Sequence, residues 1–143
     1  MVTRHPYPMF RIVIVDDSPT IRRMVRSSLA ALPEATFVEA GSGLEAIEQL
    51  TLGPVALMVL DLNMPDMHGL EVLNFVRRHP IYRLLPVIVL TTRGDEASRL
   101  AAAEAGATFY MTKPFVPQVL AERAQALVAA AGAAAESRDR GDR

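Results

Sequence analysis

Residues 55–65 have the sequence VALMVLDLNMP, in which a nearly unbroken apolar run ends at Asp61. Residues 10–17, FRIVIVDD, repeat this pattern closer to the start of the chain. Apolar runs without polar alternation are typical of parallel strands that are covered on both faces by helices. Each run therefore predicts a central strand whose carboxyl end carries acidic residues.

Short apolar runs alternate five times along the chain with segments of helical periodicity. This alternation predicts a doubly wound α/β fold, with a five-stranded parallel sheet and helices on both faces. The predicted strands are Phe10 to Val15, Thr36 to Glu39, Val55 to Leu60, Pro86 to Leu90 and Ala107 to Met111. The first, third and fourth runs are the most apolar, so we expect them at the centre of the sheet.

Residues with strong end preferences mark the helices between these strands. Ser18 before Pro19 predicts one N-terminus, and Ser42 followed three residues later by Glu45 predicts a capping box at another. The glycines expected where the second and fourth helices end are Gly53 and Gly106. The last helix is predicted to begin near Pro117, with an inward apolar face made of Val119, Leu120, Ala124, Leu127, Val128 and Ala131.

Length and charge limit the classes of protein that this chain can belong to. Its 143 residues suit one domain, which we expect at residues 10–131, between a flexible extension at residues 1–9 and a flexible charged tail at residues 132–143. A formal net charge of −1 provides no basic surface for gripping a nucleic-acid backbone, so direct nucleic-acid binding is not expected. The absence of cysteine from the sequence excludes a disulfide scaffold, thiolate catalysis and cysteine-bound zinc.

The sequence also argues against a histidine-bound metal and a membrane segment. His5, His68 and His79 lack the spacing of zinc ligands, so we expect them on the surface or in turns. The start of the chain does not resemble a secretion signal, and the longest uncharged run of small residues, Leu127 to Ala135, is about half of the roughly 18 residues that a bilayer span needs. We therefore expect a cytoplasmic protein without membrane attachment.

Polar side chains follow four of the five predicted strands. They are Asp16 and Asp17 after the first strand, Asp61 after the third, Thr91 and Thr92 after the fourth, and Lys113 with Pro114 after the fifth. In a parallel sheet these carboxyl ends face one edge, where ligands bind. Carboxylates that are brought together repel one another and need a compensating cation, and oxygen ligands suit Mg²⁺. The pattern therefore predicts a magnesium site at this edge.

Each of these residues also has a simpler explanation when it is considered alone. Asp16 and Asp17 could serve only to stabilise the N-terminus of the first helix, and Asp61 could be a turn residue. Thr91 could be an ordinary hydroxyl at a strand end, and Lys113 an exposed lysine. The recurrence of suitable residue types at four successive strand ends favours a common site.

Four segments together resemble one known family. VIVDDSPTIRRMV, LMVLDLNMPDMHGLEVL, PVIVLTTRG and EAGATFYMTKPF resemble the motif blocks of the response-regulator receiver domain of two-component signalling, most of all the stand-alone chemotaxis (CheY-like) type. The resemblance extends from about Phe10 to about Ala131 and includes all four blocks in order. It implies the flavodoxin-like strand order 2-1-3-4-5.

The resemblance implies a role for each residue at the predicted edge. Asp61 would accept a phosphoryl group from a histidine kinase or a phosphotransfer protein, and Thr91 and Lys113 would bind oxygens of that group. The implied magnesium ligands are Asp16, Asp17, Asp61 and the backbone carbonyl of Asn63. In the family, the hydroxyl after the fourth strand moves toward the phosphate and an aromatic residue of the fifth strand turns inward. Here these switch residues are Thr91 and Tyr110.

The implied output is a protein interaction controlled by phosphorylation rather than an enzymatic turnover. Phosphorylation would change the face formed by the fourth helix, the fifth strand and the fifth helix, and a partner protein would bind there. The sequence does not identify the kinase or the target. We expect a monomer, and whether phosphorylation dimerises the chain stays open.

Two departures from the family pattern and three alternative functions accompany this expectation. His68 stands where the family commonly has an acidic residue, and histidine is a weak helix cap. Arg93 borders the route by which water would attack the acyl phosphate, so the lifetime of the phosphorylated form stays open.

A haloacid-dehalogenase-like phosphatase would need a second aspartate where Asn63 stands, and a flavodoxin-like nucleotide binder would need a glycine-rich loop after the first strand. A phosphate sink without a downstream target is the third alternative.

Overall fold

The computed structural model describes residues 10–141, and it describes side chains for residues 10–130. The elements are β1 (Phe10–Val15), α1 (Pro19–Leu29), β2 (Ala35–Ala40), α2 (Gly43–Thr51), β3 (Leu57–Leu60), α3 (Gly69–Arg78), β4 (Val87–Thr91), α4 (Glu96–Glu104), β5 (Phe109–Thr112) and α5 (Pro117–Gly141). All five strands are parallel, in the order β2-β1-β3-β4-β5. This order confirms the predicted fold and the central position of the first, third and fourth strands.

Alternate residues of the central strands face two separate apolar layers. In β1, Val13 and Val15 pack with residues of α2 and α3, whereas Ile12 and Ile14 pack with residues of α1 and α5. All four side chains are fully buried. Because both faces of these strands are covered, the strands need apolar residues at every position, as the sequence showed.

Three strands begin later than the sequence predicted, and one of them is β5, which begins at Phe109 rather than at Ala107. β4 begins at Val87 because Pro86 has no N–H to donate to the sheet, although the carbonyl of Pro86 still accepts from the N–H of Met58 at 3.0 Å. β3 begins at Leu57 rather than at Val55, which follows a proline. The carboxyl ends of these strands, where the site lies, agree with the prediction to within one residue.

The predicted helix caps are present with one difference in detail. Ser18 caps α1 by accepting from the N–H of Ile21, and Ser42 caps α2 by accepting from the N–H of Glu45. The Glu45 carboxylate accepts from the N–H of Gly41 at 2.8 Å instead of from Ser42, so the reciprocal bond of a capping box is shifted by one residue. Both predicted glycines, Gly53 and Gly106, directly follow the cap residues of α2 and α4.

His68 caps α3, although histidine is a weak cap in general. Its Nδ1 atom accepts from the N–H of Leu70 at 3.2 Å, and the residue has the extended backbone conformation of an N-cap. His79 lies in the turn after α3, where its Nδ1 atom accepts from the N–H of Ile81 and its ring stacks on Tyr82. Both histidines are therefore turn residues, as predicted, and His5 lies outside the described residues.

α5 covers the sheet with three of its predicted inward residues. Leu120, Ala124 and Val128 are buried, whereas Val119 is 40% exposed. The helix continues to Gly141 and so includes most of the segment predicted as a tail, while residues 1–9 lie outside the described part. The predicted domain boundaries therefore stay predictions. Among the described helices none is both long and apolar enough to cross a membrane.

Candidate functional site

Three carboxylates meet at the carboxyl ends of β1 and β3. The two strands are neighbours in register, with Val15 opposite Leu60, so the residues that follow them, Asp16 and Asp61, lie side by side. The N–H of Asp61 donates to the carbonyl of Val15 at 2.9 Å and fixes this arrangement. Oxygen atoms of Asp16, Asp17 and Asp61 all lie within 4.8 Å of one another. Asp16 and Asp61 are buried, and Asp17 is exposed.

Lys113 brings a single positive charge to this cluster from the end of β5. Its Nζ atom lies 2.6 Å from Oδ2 of Asp16 and 3.5 Å from Oδ2 of Asp61. The side chain is 11% exposed, so solvent screens these interactions only in part. Lys113 is therefore not the exposed lysine of the simpler explanation, and one ammonium group is shared by two buried carboxylates.

Thr91 reaches the same edge from the end of β4 and is fully buried. Its hydroxyl oxygen accepts from the side-chain amide of Asn63 at 3.3 Å and from the N–H of Arg93 at 3.4 Å. The N–H of Asn63 in turn donates to Oδ1 of Asp61 at 3.2 Å. The loop after β3 thus links the hydroxyl of Thr91 to the carboxylate of Asp61 through one residue.

The electrostatics of the cluster leave Asp61 short of compensating charge. Burial raises the pKa of Asp61 above its usual range, and the negative charge of Asp16 raises it further. The ammonium of Lys113 and the N–H of Asn63 oppose this shift without cancelling it. The donor set consists of carboxylate oxygens, which are hard ligands, so the chemistry of the residues present fits Mg²⁺.

Two interactions at the site were not foreseen from the sequence. The guanidinium of Arg22 donates to the carbonyl oxygen of Asp16, and the amide of Asn63 donates to Thr91, whereas only its backbone carbonyl had been considered. Arg22 is one of three arginines on α1, so its spacing in the sequence does not distinguish it. Both interactions depend on where a long or polar side chain points in the folded protein.

Comparison with known proteins identifies the family. The sequence matches the response regulator receiver domain over residues 12–125. The chain belongs to this family. It is 40% identical over 114 residues to a chemotaxis protein CheY homolog of Campylobacter jejuni, and the match covers 79% of this chain and 88% of the relative.

Solved receiver structures share the fold of this chain. The structure of chemotaxis response regulator CheY4 of Vibrio cholerae superposes with a TM-score of 0.76 at 31% identity, over 84% of this chain and 99% of that one. The manganese-bound form of response regulator Rcp1 superposes with a TM-score of 0.70 at 28% identity, over 82% of this chain and 91% of that one. Receiver domains are regulators rather than classical enzymes, so the family assignment replaces the phosphatase and nucleotide-binding alternatives.

In this receiver domain the backbone of Arg93 connects the two predicted switch residues. Its N–H donates to the hydroxyl oxygen of Thr91, and its carbonyl accepts from the hydroxyl of Tyr110. The guanidinium of Arg99 lies over the Tyr110 ring, 5.0 Å from its centroid. Partial burial raises the pKa of Tyr110, and the nearby charge of Asp95 adds to that rise, so the phenol stays a hydrogen-bond donor at neutral pH.

Proposed function

We propose that this receiver domain accepts a phosphoryl group on Asp61 from a phosphohistidine of a histidine kinase or a phosphotransfer protein, in a reaction that needs Mg²⁺. The phosphorylated form then presents an altered surface of α4, β5 and α5 to a partner protein. The observation that carries this proposal is the buried carboxylate of Asp61, grouped with two other carboxylates and 3.5 Å from the Lys113 ammonium. We expect a cytoplasmic, monomeric protein.

The residues at the site have the chemistry that phosphoryl transfer requires. An oxygen of Asp61 forms the new P–O bond as the P–N bond to the histidine breaks, and the electron pair of that bond returns to the imidazole nitrogen. Asp16, Asp17, Asp61 and the backbone carbonyl of Asn63 would hold Mg²⁺. The ion, when bound, neutralises charge on the transferred oxygens. Lys113 and the hydroxyl of Thr91 stabilise two of those oxygens, so the protein supplies positioning and countercharge.

The bonds of Arg93 support a route from the phosphoryl group to the surface. If Thr91 turns its hydroxyl toward the phosphoryl group, the bond from the Arg93 N–H has to change. The carbonyl of the same residue accepts a hydrogen bond from the hydroxyl of Tyr110, so a shift of the Arg93 backbone weakens that bond and frees the aromatic ring to move. A phosphoryl group brings a charge of up to about −2 and supplies the differential interaction that this population shift needs.

α4 is the element that can respond most easily. Ala102 is its one buried residue within the described part of the chain, whereas α3 buries Gly69, Val72, Leu73 and Val76. A helix with few buried contacts shifts or opens at a lower free-energy cost. We therefore place the partner on the surface formed by Glu96, Arg99, Tyr110 and the exposed side of α5.

Small-molecule phosphodonors test the first half of the proposal. Incubation with acetyl phosphate and Mg²⁺ should add one phosphoryl group, seen by intact mass and released by hydroxylamine. Asp61→Asn should abolish the adduct. Asp66→Asn is the matched control, because Asp66 is an exposed carboxylate of the same loop whose oxygens bond the N–H groups of Gly43 and Leu44. A stoichiometric adduct on Asp61→Asn would place the acceptor elsewhere.

Amide chemical-shift mapping with beryllofluoride, which mimics a phosphoryl group on aspartate, tests the second half. Shifts should extend from the site through Arg93 to Tyr110 and α4. Shifts confined to the residues around Asp61 would instead favour the phosphate sink, in which the protein drains a kinase without signalling through this surface.

A further inference from the structure

We propose that Arg22 is a positioning residue for the metal site, and that Glu39 of β2 holds Arg22 in place for this role. The Nη1 atom of Arg22 donates to the carbonyl oxygen of Asp16 at 2.6 Å, and its Nε atom donates to Oε1 of Glu39 at 3.0 Å. The Arg22 side chain is 17% exposed. The inference rests on the proposed Mg²⁺ site, and its test separates the two.

The bond to the Asp16 carbonyl acts on the peptide that joins the two adjacent aspartates. A peptide unit is planar, so an interaction that fixes its carbonyl oxygen also fixes the direction in which the chain enters Asp17. The Asp17 carboxylate is exposed and makes no hydrogen bond to any other described residue. Its approach to the other two carboxylates therefore depends on the backbone, and Arg22 is the side chain that holds this backbone.

The other groups around Asp16 fix its side chain rather than this peptide. The N–H of Ser18 donates to Oδ1 at 2.9 Å and Lys113 donates to Oδ2 at 2.6 Å, so both carboxylate oxygens are already bonded. On its amino side, the N–H of Asp16 donates to the carbonyl of Ala40 at 3.0 Å. Without Arg22 the Asp16 carbonyl would keep no side-chain donor among the described residues.

Charge and position predict opposite signs for the effect of Arg22. A guanidinium beside a cation site repels the cation, so by charge alone its removal would tighten Mg²⁺ binding. If Arg22 acts by position, its removal weakens binding, because Asp17 is then held less well for the ion. The sign of the change in affinity therefore distinguishes the two roles without a difficult quantitative comparison.

The experiment compares the Mg²⁺ affinity of full-length variants by amide chemical-shift titration. Arg22→Gln should raise the dissociation constant roughly threefold to tenfold, the range that corresponds to one lost hydrogen bond. Arg22→Lys keeps the charge but replaces the fork of donors with one ammonium, which cannot reproduce both bonds in the same geometry, so it should also weaken binding. Glu39→Gln should weaken it less, because the Asp16 bond remains.

Arg26→Gln is the matched control. Arg26 also pairs with Glu39, at 3.4 Å, but it is 53% exposed and makes no hydrogen bond to Asp16. This variant removes the same charge from the same helix, so its Mg²⁺ affinity should equal that of the wild type or be slightly higher. Thermal unfolding without Mg²⁺ shows whether each variant is folded at the titration temperature. If Arg22→Gln does not fold, Glu39→Gln still tests whether the position of Arg22 affects Mg²⁺ binding.

The outcomes separate this inference from the proposed function. A wild-type protein that does not bind Mg²⁺ would overturn the metal site itself, and the positioning role with it. A wild type that binds Mg²⁺, together with an Arg22→Gln variant of equal or higher affinity, would overturn the role of Arg22 alone. Equally weakened binding in the Arg26 control would show that the loss does not depend on the bond to Asp16, and it would also contradict positioning.

Discussion

Asp61→Asn should stabilise the metal-free protein, although it removes the proposed phosphoacceptor. Asp61 is buried beside two other carboxylates, and within the described part of the chain the Lys113 ammonium is the one ammonium group that compensates them. Asparagine has nearly the same shape and can still accept the N–H of Asn63 through its amide oxygen. The substitution therefore removes charge from a crowded pocket with little change in packing.

The distances give the size of the effect. At an effective dielectric constant of about 20, the attraction between Asp61 and Lys113 at 3.5 Å is worth about 5 kcal/mol. Repulsion from the buried Asp16 carboxylate, at a separation of up to 4.8 Å, is worth about 3–4 kcal/mol at the same dielectric constant, whereas Asp17 is exposed and solvent screens its charge. The attraction to Lys113 and the repulsion from Asp16 therefore largely cancel, and the desolvation of the buried, charged carboxylate, which is the main cause of its raised pKa, decides the sign. Because the amide avoids that cost, we expect Asp61→Asn to raise the free energy of unfolding by about 1–3 kcal/mol at neutral pH without Mg²⁺.

Urea unfolding with a chelator at several pH values provides the measurement. The pKa of Asp61 is higher in the folded than in the unfolded protein, so the native state binds more protons between these two values. Wild-type stability from this group is fully present below the unfolded value and is lost as the pH rises through the folded value. The advantage of the variant should therefore be present at neutral pH and shrink toward pH 3.8. The lowered pKa values of Asp66 and Asp95 affect both proteins alike and cancel in the difference.

Glu104→Gln, a change of the same type at an exposed position near the end of α4, is the control and should alter stability by less than about 0.5 kcal/mol. Mg²⁺ should reduce the difference in unfolding free energy between Asp61→Asn and the wild type. The wild type gains more stability from the ion because its additional carboxylate helps to bind it. An Asp61→Asn protein that is less stable than the wild type at neutral pH without metal would refute this account of the pocket.

Three further substitutions test single features of the fold and site. Gly69→Ala should cost about 2–4 kcal/mol in urea unfolding, because the added Cβ would lie 2.4 Å from the backbone oxygen of Asp61, and an unchanged stability would contradict this close approach. His68→Asn should raise the free energy of unfolding by about 0.5–1 kcal/mol, since asparagine is the stronger cap, and a loss would show that the imidazole makes a contact beyond the cap. Asp17→Asn should weaken Mg²⁺ binding in a calorimetric titration, whereas a mere helix-terminus charge would lower only stability, by about 0.3–1 kcal/mol.

The parts of the fold that follow from local chemistry could be predicted from the sequence. β1, β3 and β4 are apolar at nearly every position because both of their faces are buried, and that pattern identified them as central. The edge strands were also found, but every residue of β5 is only partly buried, so its apolar signal is weaker and its start was placed two residues early. Serine caps and helix-ending glycines act within a few residues, so they too could be predicted.

The partners of the site residues could not be predicted in the same way. The strand ends placed Asp16 beside Asp61, because register and a parallel sheet require it. Which carboxylate Lys113 approaches most closely depends on the path of a long side chain across the pocket. The bonds from Asn63 to Thr91 and from Arg22 to Asp16 likewise depend on side-chain conformations that form only when separate elements pack together.

The shared position of Lys113 suggests how metal binding and phosphorylation support each other in the proposed reaction. Its ammonium group lies 2.6 Å from Asp16 and 3.5 Å from Asp61, so it mainly neutralises Asp16. A divalent cation held by Asp16 would replace that countercharge and would lower the free-energy cost of moving the ammonium toward Asp61. A phosphoryl group on Asp61 attracts the same ammonium, so both events favour one rearrangement. Because such coupling is reciprocal, phosphorylation of Asp61 would tighten Mg²⁺ binding, and bound Mg²⁺ would favour phosphorylation to the same degree. The backbone N–H of Lys113 donates to the carbonyl of Thr91 at 2.8 Å. The movement of the Lys113 ammonium from Asp16 toward Asp61 would therefore take place directly beside the proposed switch residue Thr91.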